Sequence, residues 1–318
     1  MTEASASKRI VFIGNFDPPF STENDWVWTW KKLGYEVVKC QENRATTDEI
    51  LREAKQGCAF VHYVHSHGFN TPGSFDVEEL LRRLRRADIK TVGIHLDYWR
   101  GLDREVDVGV HPWWKCQYIF TADGGSHNWY KEKGINHYYL KAGVVERDCY
   151  IGKVREEFKH DVIFVGSREY HPEWCYRPQL VDWLKETYGK RFGHYGGDGI
   201  KSVRGSELND LYASAKIVIG DTLCLNFKHP DYFSDRLFET TGRGGFLIFP
   251  QIKGIEECFK IGEEIITYEF GEFDQLKNLI DYFLKLDKTR ERIKLAGFEK
   301  TKARHTYTNR AMEVLKTI

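Results

Sequence analysis

Residues 231–250 read DYFSDRLFETTGRGGFLIFP. Ser234 and Asp235 are good helix-opening types, because a short oxygen-bearing side chain accepts from the free amides of the first turn. The helix they open runs into Gly242, Gly244 and Gly245, and an apolar strand follows at once. A helix handed to a strand through a glycine turn is the unit of a parallel sheet covered by helices. Outward from this unit the same alternation recurs. In the first half, strands are predicted at 9–13, 35–40, 58–64, 91–96 and 117–121. Helices are predicted at 24–33, stopped by Gly34, and at 48–56. A third is marked by the stripe Val77, Leu80, Leu81 and Leu84. Residues 146–160 are charged, poor in large apolar residues and read as a connection. Strands then resume at 161–165, 190–194, 216–219, 245–249 and 264–267, with helices at 177–188 and 207–215. The stripe Leu276, Leu279, Ile280, Phe283 and Leu284 marks another helix, and two more helical stretches follow. The expectation is α/β, with two doubly wound Rossmann-like domains over 1–150 and 151–303. Open sheets of this kind bind ligands beyond the carboxyl ends of their strands. Two of them facing each other put a cleft at the domain boundary, a preferred place for small ligands.

Composition removes whole classes. The 318 residues carry 47 Lys plus Arg and 47 Asp plus Glu. That balance argues against a general nucleic-acid binder, which needs a basic excess. No apolar run approaches the roughly eighteen residues of a membrane span. Residues 1–7 are small and polar and lack the apolar core of a secretory signal. The seven cysteines are odd in number, widely spaced and without a CxxC pair. They read as reduced packing residues of a cytoplasmic protein rather than a disulfide framework or zinc site.

Within 231–250, the helix start offers free amides and a partial positive charge, which suit a diphosphate. Arg236 can add charge-assisted bonds, and Glu239, one turn on, can accept two ribose hydroxyls. The plain alternative is an ordinary capped helix with an intrahelical pair. The order Arg236-Leu-Phe-Glu239-Thr-Thr-Gly242, then Gly244-Gly245-Phe-Leu-Ile, resembles the R-x-x-E segment of GT-B glycosyltransferases, most of all the CgeB-like, spore-maturation type. Four more pieces fall in that family's order across residues 160–305. They are Asp161-Val-Ile-Phe-Val-Gly-Ser167, Arg177 opening the next helix, His194-Tyr195-Gly196-Gly197, and LNDLYASAKIVI over 208–219.

The resemblance implies a GT-B fold in which the last helix, 304–318, crosses back to the first domain. It implies a metal-independent, hexosyltransferase-type enzyme, bacterial or phage in kind, that uses a nucleoside-diphosphate sugar, UDP-sugar above all, and no other cofactor. Glu239 would hold the ribose. Arg236, Arg177, Ser167, Arg168 and Ser234 would face the diphosphate, with Tyr195 and Gly196 near the base. Retaining members carry two glutamates eight positions apart. Asp231 stands at the earlier position here, a departure from that pattern, with retention still the expected outcome. The acceptor is left open among a glycan, a small molecule, a protein and a modified DNA base, as is the oligomeric state.

In the first half, Gly14 and Asn15 lie at the end of the first strand and resemble the family's first loop, bordering the donor. Asp17-Pro-Pro19 makes a turn, and residues 21–24 cap a helix. His62, His65 and His67 cluster at a strand end. Positions 65 and 67 share one face and 62 the other, so a metal site is not expected and a place lining the cleft is. His95-Leu-Asp97 ends the fourth strand. Asp97, with His95 on the same face as its partner, can take the acceptor's proton or orient the acceptor; otherwise it caps the next turn. Trp26, Trp28 and Trp30 cannot share one helical stripe, so at least one is expected to be exposed in part. Trp99, Trp113 and Trp114 can line an acceptor surface or fill a core. Arg82-Arg-Leu-Arg-Arg86 is a solvated helix face or an anion contact. Two further readings remain: a phage-type DNA glycosyltransferase acting on a hydroxymethylated base, and a GT-B-like protein that binds nucleotide without catalysis.

Overall fold

A computed structural model describes residues 8–64, 76–227 and 232–318. The chain divides into two units, residues 1–141 with 310–318, and residues 142–309.

The first unit is built on six strands: β1 Arg9–Gly14, β2 Glu36–Gln41, β3 Phe60–Val64, β4 Thr91–His95, β5 Tyr118–Thr121 and β6 His137–Tyr139. They pair in the order β2-β1-β3-β4-β5-β6, every pairing parallel. Both faces of β3 and β4 are buried throughout, as continuous apolar runs require of a sheet covered on two sides. The covering helices are α1 Thr22–Lys32, α2 Thr47–Ala54, α3 Val77–Arg86 and α4 His127–Glu132. Their starts are fixed by side chains. Ser21 accepts from the amide of Asn24, Thr46 and Glu49 form a reciprocal box, and Asp76 accepts from Glu79. Gly34, at φ +86°, ends α1 as the sequence predicts.

The second unit holds β7 Val162–Val165, β8 Phe192–Tyr195, β9 Ile217–Ile219, β10 Leu247–Pro250 and β11 Ile266–Tyr268. The order is β11-β10-β9-β7-β8, again parallel. Its helices are α5 Tyr176–Tyr188, α6 Ser206–Ser214, α7 Asp235–Gly242, α8 Ile255–Cys258, α9 Phe273–Phe283 and α10 Asp287–Arg304; α11, Tyr307–Thr317, ends the chain. In each sheet the chain leaves the first strand to one side and returns on the other. This places a switch point between β1 and β3, and a second between β7 and β9.

The segment read as a connection is bonded into the second unit. The Asn209 side-chain amide donates to the carbonyls of Asp148 and Tyr150, and Arg155 pairs with Asp210 at 2.6 Å. Gly152 lies so close to α6 that a Cβ would stand 2.3 Å from the Asn209 carbonyl carbon. Five of the seven cysteines are buried. Among the described residues no helix is long and apolar enough to cross a membrane.

Several aromatic expectations resolve into packing. Trp26 and Trp30 are wholly buried while Trp28 is half-buried, as the spacing demanded. Trp99, Trp113 and Trp114 are all core residues, 3% exposed or less. His62 is also core rather than lining a site. It accepts from the Trp30 indole at 3.1 Å and stacks on Phe12, and burial drives its pKa down to about 3. His65 and His67 lie outside the described residues.

Candidate functional site at the ends of the strands

The second unit's switch point is formed by the ends of β7 and β9. After Val165 the chain turns through Gly166 at φ +140°, a conformation that favours glycine. The space a side chain would fill is taken by Arg236, whose guanidinium stands 2.5 Å from a Cβ built there. Arg236 comes from the first turn of α7, and its Nε donates to the Val165 carbonyl at 2.9 Å. The Gly166 carbonyl accepts from His194 Nε2 at 2.7 Å, and its amide donates to Tyr195 O at 2.7 Å. Gly196 approaches so closely that a Cβ would sit 2.3 Å from Gly166 O. A cation and the N-terminus of α7 thus meet where the fold offers its ligand crevice.

Glu239 follows one turn into α7. Its side chain is 27% exposed, and Arg243 Nη2 lies 3.5 Å from its Oε1. Desolvation pushes its carboxyl pKa up, and Arg243 pulls against that shift. Arg243, buried, is committed to Asp148 at 2.6 Å and to Asn209 at 2.6 Å. The carboxylate therefore has a fixed cation behind it and an accessible edge, suited to accepting hydroxyl protons.

Other predicted residues are placed differently. Arg177, in the first turn of α5, is 3% exposed and pairs with Asp221 at 2.7 Å, so its charge is neutralised inside the unit. Trp174 Nε1 donates to the same carboxylate at 3.0 Å. Ser234 sits at the start of α7, but its hydroxyl donates to the Asp221 carbonyl at 2.7 Å instead of capping the helix. Tyr195 requires a correction. Its ring is 2% exposed, packs on Phe158 and bonds His160 through its hydroxyl, because odd and even positions of β8 face opposite sides. Arg168 donates through its amide to Asp198, while its guanidinium grips Asp182. Ser167 lies half-buried in the loop between Gly166 and Arg168. Asp231 lies outside the described residues.

At the first unit's switch point, Gly14 is packed against Glu23, whose Cγ would be 2.7 Å from a Cβ. Glu23 is buried, and desolvation raises its pKa. Asn15 accepts from Gln41 at 3.0 Å, which ties its loop to β2. Beyond β4, the Asp97 amide donates to His95 Nδ1 at 3.3 Å, so this contact of His95 is with the backbone. Asp97 is 26% exposed, with Arg104 Nη1 at 3.8 Å. Arg104 in turn covers the Trp99 ring at 4.9 Å. Of the basic run on α3, Arg82 pairs with Glu79, Arg83 with Asp48, and Arg85 donates to the Lys115 carbonyl. Among the described residues no three His, Cys, Asp or Glu side chains gather as a cation site requires.

Sequence reasoning missed Asp123 and Asp221, each buried and two residues past the last residue of β5 or β9. The signal was available, because Asp97 stands at the same offset from β4.

Residues 168–316 match the family model described as Glycosyl transferase-like. No curated protein matches the chain by sequence. Among solved structures, Anabaena Alr3699/HepE in complex with UDP and glucose aligns at TM-score 0.64 and 11% identity, over 98% of this chain and 100% of that one. An alpha-glucosyltransferase in complex with UDP-glucose and DNA containing an abasic site aligns at TM-score 0.68 and 10% identity, over 97% and 98%. Sucrose-phosphate synthase from Thermosynechococcus elongatus aligns at TM-score 0.62 and 10% identity, over 97% and 98%. The α/β fold, with its two parallel sheets, is the GT-B fold.

Proposed function

We propose that this protein is a glycosyltransferase of the CgeB-like kind. It would move a hexose from a UDP-sugar to a hydroxyl acceptor without metal and with retention of configuration. The observation that carries the reading is Arg236 seated on Gly166 at the second unit's switch point, with Glu239 one turn behind it. Departure of a nucleoside diphosphate develops negative charge, and a guanidinium beside helix amides stabilises it without metal. Glu239, backed by Arg243, would take the ribose hydroxyls. Arg177 would act from behind, its pair with Asp221 fixing the start of α5. Asp97 would serve the acceptor. The Arg104 guanidinium, 3.8 Å from Asp97, would help hold that carboxylate in place to orient the acceptor.

The glycosyltransferase-like match over 168–316 and the UDP-bound structures sharing the fold support this reading. A DNA acceptor is the second reading, favoured by the alpha-glucosyltransferase held with DNA. The pairing of Arg82 and Arg83 with carboxylates leaves α3 a weak basic face for it. The test is a thermal-shift panel of UDP, GDP, ADP and dTDP with matching sugars. UDP and UDP-glucose are expected to stabilise the protein most; stabilisation by none of them ends the proposal. A salt-sensitive gel shift with duplex DNA separates the second reading.

A further inference from the structure

Residues 96–102, between β4 and the turn that follows, carry Asp97 but belong to neither strand nor helix. Their backbone needs an outside partner, and Asp123 supplies it. Asp123 is wholly buried just past β5. Its Oδ1 accepts from the amides of Trp99 at 2.8 Å and Arg100 at 3.0 Å. Its Oδ2 accepts from the Thr121 hydroxyl at 2.6 Å and the Tyr130 hydroxyl at 2.8 Å. One oxygen therefore holds the loop, and the other is anchored to the unit's own elements. The anchor is stiff: Tyr130 is buried and stacks on His137 at 4.0 Å, and His137 Nε2 lies 2.9 Å from Thr121 Oγ1. Burying a carboxylate is costly unless its oxygens are satisfied, and charge-assisted donors on both offset that cost.

We propose that Asp123 is a positioning residue of the transfer reaction. It fixes the backbone of residues 99 and 100 and so presents Asp97, with Arg104 against Trp99, at the carboxyl edge of the sheet. The inference rests on the reading that Asp97 serves the acceptor. Reaction rates depend steeply on such placement, so a displaced loop lowers turnover without touching the nucleotide's grip. Asparagine keeps one oxygen toward the two amides but gives up the charge that strengthens both bonds, and it turns an NH2 donor toward the hydroxyls of Thr121 and Tyr130, so the clamp is weakened. Alanine removes the clamp entirely.

The experiment compares wild type with Asp123→Ala, Asp123→Asn, Tyr130→Phe, Asp97→Asn and the double variant Asp97→Asn/Asp123→Ala. Four quantities are read: thermal midpoint, UDP affinity, release of UDP from UDP-glucose with water as acceptor, and hydrogen exchange at the Trp99 and Arg100 amides. For Asp123→Ala the exchange is expected to quicken more than about 10-fold as local protection is lost. UDP affinity should stay unchanged, and turnover should fall about 10- to 100-fold, the scale set by misplaced groups. The double variant should be no slower than the slower single variant, because both act through one group. Tyr130→Phe removes one anchor of Asp123 and should lower turnover by less than Asp123→Ala does, with UDP affinity unchanged. If Asp123→Ala does not fold, Asp123→Asn decides. Its turnover should fall with KM for UDP-glucose unchanged, and wild-type kinetics there overturn the inference. Wild-type turnover or unchanged amide exchange in folded Asp123→Ala, with Asp97→Asn impaired, overturns it too. Wild-type turnover in Asp97→Asn, or no UDP release from wild type, instead removes the underlying reading.

Discussion

Replacing Gly166 with alanine perturbs both the stability of the second unit and the seat of Arg236. Two effects act at once. The backbone sits at φ +140°, which an L side chain adopts only under strain, at a cost of about 1–2 kcal/mol. For a unit of this size that lowers the thermal midpoint by several degrees. The added Cβ would also stand 2.5, 2.8 and 3.0 Å from Arg236 Nη2, Nε and Cζ. These atoms end a flexible side chain, so the arginine swings away and the fold survives. The guanidinium must then retreat by about 1 Å to reach ordinary contact, breaking its 2.9 Å bond to the Val165 carbonyl. Loss of a charge-assisted bond of about 1.5–3 kcal/mol weakens UDP binding roughly 10- to 150-fold. Isothermal titration with UDP measures this, beside a thermal melt. In an Arg236→Ala background, Gly166→Ala should lower the midpoint but cost no further affinity. A Gly166→Ala protein that binds UDP as wild type does, while Arg236→Ala binds it weakly, refutes the reasoning about the guanidinium's seat.

Glu239→Ala is expected to weaken UDP binding by about 1–3 kcal/mol, the cost of stranding polar partners, read by the same titration; unchanged affinity takes the ribose role from Glu239. Arg243→Ala leaves Asp148 and Asn209 without their buried cation, so a loss of about 3–5 kcal/mol in urea unfolding is expected, and an unchanged midpoint contradicts it. Burial holds His62 and His137 neutral, each with its pKa lowered to about 3 from 6.5. The unfolded chain then binds two protons that the folded chain refuses. Stability from this source is full above about pH 6.5 and is lost toward pH 3, at roughly 2.7 kcal/mol per unit between. Urea unfolding between pH 7 and 5 measures the slope, and His62→Gln should remove half of this contribution; an unaltered slope denies it.

The parallel sheets were legible because apolar strand runs and glycine stops repeat with regular spacing. So were α7 and its glycine turn, and the placement of Asp97 just past β4. The pieces missed were short: β6 has three residues and α4 six, too few to show a period. Side-chain direction was less legible than position. Tyr195 and Ser234 stand at strand and helix ends as read, yet one ring turns into the core and one hydroxyl turns to Asp221. Which charges would find buried partners was also hidden. Arg177 and Asp221 are 44 positions apart in the chain, and only the fold brings them together. The charged texture of residues 146–160 suggested a connection, when Arg155 is used on Asp210 of α6 and Asp148 on Arg243.

That last feature bears on any attempt to recombine this chain with a relative. Residues 148–155 are stitched to α6 through Asn209 and Asp210, and Gly152 leaves no room for a bulkier replacement. A chimera spliced at residue 150 would take Asp148 and Tyr150 from one parent and their partners Asn209 and Arg243 from the other. A junction ahead of Ala142 keeps those bonds within one parent, and a second one ahead of Arg310 leaves residues 310–318 with the first unit to which they belong.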